Sequence, residues 1–143
     1  MSVLNGQVIG QAHHATRAVL ERELTGLGIT FHQSVALNLV AAEGGAAPRA
    51  LLARRMTAAL KVAEATALAA LDDGIGAGLL RTLPADGSGL ALTDAGRAVQ
   101  QRLAGVVAAL TARLYGDIAP DDLAVAGRVL TLIRQRADAE LAG

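Results

Sequence analysis

The chain contains no cysteine and no tryptophan, and its only aromatic residues besides histidine are Phe31 and Tyr115. Without a thiol there is no disulfide, no Cys-based zinc site and no thiol redox sensing. Two aromatic rings offer few platforms on which unpaired or flipped bases could stack. A net charge is also missing. The 13 basic side chains balance 13 acidic ones, which argues against a strongly basic nucleic-acid protein. No apolar run reaches the length of a membrane span, and the N-terminus lacks a charged-then-apolar leader pattern, so a cytoplasmic protein is expected. No Ser-His-Asp ordering, paired carboxylates or metal-ligand spacing stands out, so neither an enzyme nor a cofactor is expected.

What is present is a chain of 143 residues, 52% hydrophobic and 18% charged, long enough for one domain (residues 1–143) with a real core. That core must be built from Leu, Val and Ala, which favours helices packed closely through small residues. The positive charge is slightly concentrated in the middle. Residues 49 to 102 hold seven basic side chains against five acidic ones.

The same stretch has the most distinctive order of elements. Pro48 suits a helix start, and Leu52 and Met56 lie one turn apart on the helix it opens. A second helical segment from about Ala58 to Leu71 carries a stripe at Leu60, Ala63, Ala67 or Leu68, and Leu71, and stops at Asp72-Asp73-Gly74. Leu79–Leu83 and Gly89–Leu92 are apolar runs joined by Pro84-Ala-Asp-Gly-Ser88, which is turn chemistry. Helix, helix, hairpin is the order of a winged helix-turn-helix, whose second helix enters the DNA major groove. No Gly or Pro separates the two helical segments, so a single helix from Pro48 to Leu71 is the alternative.

The flanks are helical. Residues 3 to 24 carry a stripe at Leu4, Val8, Ala12, Ala15 and Val19, broken after by Gly26 and Gly28. Thr30 and Gln33 match a capping box, and the helix they open buries Val35, Ala36, Leu39 and Val40 before Gly44-Gly45. Ala46-Ala47 reads as a linker. Thr93 can cap a long helix with a stripe at Ala95, Val99, Leu103, Val106, Leu110 and Leu114. Pro120, Asp121 and Asp122 open a last helix that buries Leu123, Leu130, Ile133, Ala137 and Leu141. The expected fold class is therefore mainly α with a small β-hairpin, a winged helix-turn-helix with N- and C-terminal dimerisation helices (residues 1–47 and 97–143) around the unit at 48–96. A unit of that size covers only part of the apolar surface on the terminal helices. A twofold dimer would bury the rest and set two recognition helices roughly 34 Å apart, one DNA turn. A compact monomer is the alternative.

Several of these segments resemble the MarR family of bacterial transcriptional regulators. Leu27-Gly-Ile-Thr30 with Gln33, Leu37 and Val40 resembles the opening of that family's second helix, and Leu52-Ala-Arg-Arg-Met56 its first helix-turn-helix segment. Leu92-Thr-Asp-Ala-Gly96 resembles the wing exit and Ile118-Ala-Pro-Asp-Asp-Leu123 the final-helix entry. The resemblance implies a homodimer that binds palindromic operators, usually as a repressor, and is released by small amphipathic, often aromatic acids. There are two departures. The family's wing carries Asp-x-Arg, whereas here Asp86 is followed by Ser88 in the place of the Arg, on a shorter hairpin. The recognition segment has Lys61 as its one basic residue.

Candidate sites follow. Lys61, Glu64 and Thr66 are polar positions of the recognition segment, suited to a phosphate or guanine, a cytosine amino group, and a base edge or phosphate. Arg54 and Arg55, with Thr57 beside them, sit where a supporting helix can clamp the backbone. Arg81 at the wing base is placed to replace the missing wing arginine, with Ser88 at its tip. All of these are also ordinary solvated helix or strand positions. His13, Arg17, Phe31 and His32 group where the family's effector pocket forms, a cation and an aromatic suited to a small aromatic carboxylate. Histidines bonded to backbone are the alternative. A metal is not expected: His13 and His14 point about 100° apart on a helix, and His14 has Arg17 and Ala18 at the spacings where a ligand is needed. Gly74-Ile-Gly-Ala-Gly78 lacks the strand, helix and Lys-Ser/Thr of a phosphate loop. A fold-alike that binds a ligand or protein partner instead of an operator is the competing reading of function.

Overall fold

Asn5 and Thr30 start the first two helices by side-chain capping. In the computed structural model, which describes residues 3–85 and 87–143, the Asn5 side chain accepts from the Val8 amide at 2.9 Å and opens α1, Gly6–Leu27. The expected capping box is present. Thr30 Oγ1 accepts from the Gln33 amide at 3.1 Å while Gln33 Oε1 accepts from the Thr30 amide at 2.9 Å, opening α2, Phe31–Ala42. Helix α1 runs through Gly26 and past the expected end, because a helical glycine costs only about 1 kcal/mol and Leu27 just beyond it packs against the core.

Two expectations about the middle of the chain need correction. Ala46–Pro48 is a strand, β1, rather than a linker, and Pro48 at its end also stands at the expected helix start, as the N-cap of the helix that begins at Arg49. With β2, Leu80–Thr82, and β3, Gly89–Leu92, it makes a three-stranded antiparallel sheet in the order β1-β3-β2, where a two-stranded hairpin was expected. Ala47 faces Leu90 across one side of β3, and Thr82 faces Leu90 across the other. A three-residue strand is too short to show alternation in sequence. Pro48, having no amide hydrogen, ends it at the edge.

The second correction concerns the helices that follow. Helix α3 is Arg49–Leu60 and α4 is Glu64–Gly76, so the recognition helix starts later and ends later than expected, and Lys61 lies in the turn between them. A continuous helix across this region is ruled out by Lys61 at φ 55 and Ala63 at ψ 152. The cause is burial. Leu52, Ala53 and Met56 of α3 and Ala67, Ala70 and Leu71 of α4 all enter one core, which a straight rod could not bring together. Gly74 does not stop α4 because it is needed inside: a Cβ there would lie 2.9 Å from Leu80 of β2.

Thr93 caps α5, Asp94–Tyr115, as expected. Its hydroxyl accepts from the Gly96 amide at 2.9 Å and donates to the Gly78 carbonyl at 2.6 Å, fastening the sheet's exit to the end of α4. Leu103 and Leu110 of the expected stripe are buried. Pro120 begins α6, Pro120–Ala142, but the burial expected there is absent. Leu123, Leu130, Ile133, Ala137 and Leu141 are all exposed, because nothing among the described residues of this single chain covers them. The chain forms two compact units divided after Ala108, with α1–α4 and the sheet in the first and α6 in the second. Asp86, expected in the wing turn, lies outside the described residues, as do Met1 and Ser2.

Candidate nucleic-acid interface

Helices α3 and α4 turn about Lys61, the one non-glycine residue with positive φ among the described residues. Its backbone amide donates to the Thr57 carbonyl at 2.9 Å and its Nζ to the Ala58 carbonyl at 2.7 Å, so the side chain closes the end of α3. The β2–β3 hairpin, the wing, is tied to this pair at its root: the Arg49 amide donates to the Ser88 carbonyl at 2.8 Å.

Between the two helices and the wing root runs an open groove of about 730 Å³. Four of the eight expected DNA-contact residues line it: Arg54 and Thr57 from α3, Glu64 from the start of α4, and Ser88 from the wing. The other four stand elsewhere. Arg55 turns toward α2 and pairs with Glu43, and Lys61 is in the turn. Thr66 lines a separate hollow with Thr30, His32 and Asp73, and Arg81 is exposed on β2. The outward side chains of α4 are Glu64, Ala65, Thr66, Ala69, Asp72 and Asp73, so the helix carries three carboxylates and no cation.

Arg49, which sequence reading passed over, is the residue that joins the groove's walls. Its Nη1 lies 2.8 Å from Asp72 Oδ1 of α4 while its amide holds the wing. Nothing in the sequence signals this beyond a cation directly after Pro48, because the partner belongs to a different helix.

A second cavity, of about 270 Å³, brings together all four expected ligand residues. His13 and Arg17 come from α1 and Phe31 and His32 from the start of α2, opposite Ala59, Leu60 and Val62 at the end of α3 and the turn. The Arg17 guanidinium lies 4.1 Å from the Phe31 ring centre, and its Nε is 3.4 Å from Glu21 Oε1 one turn on. The cavity thus offers cationic and aromatic groups on one wall and apolar groups on the other. Among the described residues no three His, Asp or Glu side chains are placed to hold a metal ion, and no helix is long and apolar enough to cross a membrane.

Two helices joined by a tight turn, followed by a sheet-borne hairpin that shares a groove with them, define a winged helix-turn-helix protein. No protein-family model matches the chain, and no curated protein matches it in sequence. Solved structures do. The organohalide-sensing regulator RdhR-CbdbA1625 in its ligand-free form superposes with a TM-score of 0.78 at 17% identity, over 90% of this chain and 76% of that one. A mutant MarR from E. coli complexed with operator DNA gives 0.74 at 20% identity, over 90% and 91%. A MarR-family transcriptional regulator from Silicibacter pomeroyi gives 0.68 at 26% identity, over 88% and 84%. The chain thus shares the fold of MarR-family transcriptional regulators.

Proposed function

We propose that the chain is a homodimeric DNA-binding repressor of a palindromic operator, released when a small amphipathic or aromatic anion enters the cavity beside Arg17. The observation that carries the reading is the groove shared by α3, α4 and the wing, with Arg54, Thr57, Glu64 and Ser88 on its walls. Support for the partner comes from the similar fold of the E. coli MarR mutant bound to operator DNA. The same regulator RdhR-CbdbA1625 has also been solved with 2,4-dichlorophenol, which supports a small aromatic effector here. Support for the dimer comes from the apolar side chains that α6 leaves exposed, Leu130, Leu132 and Ile133 among them, which a second copy would cover.

The acidic outward face of α4 favours a second reading, a ligand- or protein-binding module with weak operator binding. Selection from a pool of random duplexes at low and moderate salt decides between them. Enrichment of a palindrome with a steep salt slope supports the repressor; no enrichment even at low salt supports the module.

A further inference from the structure

We propose that Arg49 is a masked phosphate contact, held by Asp72 in the free protein and handed to the DNA backbone when the groove between recognition helix and wing receives a strand. The inference rests on the DNA-binding reading above. The groove is the starting point. In a winged helix-turn-helix the recognition helix and the wing occupy neighbouring DNA grooves, so the sugar-phosphate strand dividing those grooves must pass between them. Here that passage is the cleft lined by Arg49, Arg54, Glu64, Leu68 and Ser88.

A phosphate strand lying there needs cations; Arg54 on the wall is one, and the other usual sources are short. Helix α4 has none, and Arg55 is paired with Glu43 away from the cleft. The wing has Ser88 where an arginine would reach DNA. Arg49 stands at that wing's root, its amide bonded to the Ser88 carbonyl, and it lines the cleft. The ion pair that holds it is poised for exchange. Asp72 is 62% exposed, so water already screens the pair, and the carboxylate loses little when its partner leaves. A phosphate, though tetrahedral, likewise offers the guanidinium a pair of acceptor oxygens. Asp72 then serves a second end. While paired it lowers the grip on any stray duplex, so that only a strand seated fully in the cleft recruits Arg49.

The test uses the full-length chain with the palindrome selected above and with a random duplex, followed by fluorescence anisotropy across a salt series. Arg49→Ala should weaken binding to the palindrome and reduce the salt slope by about one, the loss of one phosphate contact. Arg49→Gln, which keeps the aliphatic stem and an amide donor but no charge, should show the same slope as Arg49→Ala and guards against a folding defect. Asp72→Asn should strengthen binding to the random duplex by about three- to tenfold. In the Arg49→Ala/Asp72→Asn double variant that gain should vanish. An unchanged slope in both Arg49 variants overturns the proposal, since Arg49 then meets no phosphate. A gain that survives in the double variant also overturns it, since Asp72 then acts by simple repulsion. If the wild-type chain binds no duplex at low salt, the DNA-binding reading fails first, and this proposal with it.

Discussion

The guanidinium of Arg17 stacks on the ring of Phe31 at 4.1 Å from its centre, across the junction of α1 and α2. Such a contact at a partly exposed site contributes about 0.5–1 kcal/mol. Its larger effect is to fix a cation at the mouth of the cavity facing Ala59, Leu60 and Val62. A ligand seated there touches the end of α3 and the helix-turn-helix bend directly. The cavity thus abuts the end of α3 and the turn that leads into α4.

Replacing that cation tests the cavity as an anion site. With benzoate as the probe in titration calorimetry, Arg17→Ala should weaken binding by at least about tenfold, through loss of a charge-assisted hydrogen bond. Thermal stability should fall by less than about 1 kcal/mol, because Arg17 and its Glu21 partner form an exposed pair within one helix. Benzoate affinity equal to that of the wild type would remove Arg17 from the site.

Two glycines should respond in opposite directions. A Cβ at buried Gly96 collides with the Leu79 carbonyl at the join of sheet and α5, so Gly96→Ala should cost about 2 kcal/mol or more. Gly26 is exposed inside α1 with open space around it, so Gly26→Ala should stabilise by about 0.5–1 kcal/mol. Urea unfolding of both variants checks the pair. A Gly96→Ala variant as stable as the wild type contradicts the packing of Leu79 against α5.

Lys61 closes the turn, and a single substitution tests whether it also meets DNA. Lys61→Gly relieves a left-handed conformation worth about 1–2 kcal/mol to an L-residue, while losing the bond to the Ala58 carbonyl. Stability should therefore change by no more than about 1 kcal/mol. If the ammonium reaches DNA, affinity should drop several-fold and the salt slope should shrink by about one. A slope identical to wild type shows that Lys61 shapes the turn and does nothing else.

The exposed apolar side of α6 predicts its own consequence. Leu130→Asp with Ile133→Asp should leave a folded monomer by sedimentation, since Asp within a helix costs only about 0.7 kcal/mol per position and neither side chain is buried. Palindrome affinity should fall by at least about 100-fold as the second half-site loses its tether. A doubly substituted chain that still sediments as a dimer places the interface elsewhere.

Features that depend on neighbours along the chain could be read from short-range spacing. Thr30 and Gln33 stand three residues apart, and Thr93 stands three before Gly96, so each cap was legible in one turn of sequence. The long stripe of α5 and the proline at the start of α6 were equally local, and so was the helix–helix–hairpin order that suggested the fold. The grouping of His13 and Arg17 with Phe31 and His32 came from the family resemblance, and the structure places all four around one cavity.

Features that depend on burial from elsewhere emerge only in the folded chain. β1 exists because β3 lies beside it, too short to announce itself. The bend at Lys61 carries no glycine or proline, and is imposed by the need to bury Met56 and Leu71 in one core. Arg49 finds Asp72 only once those two helices have folded back on each other. Spacing along the chain encodes hydrogen bonds within a turn, whereas contacts between elements are selected by the free energy of packing them together, which no short window of sequence contains.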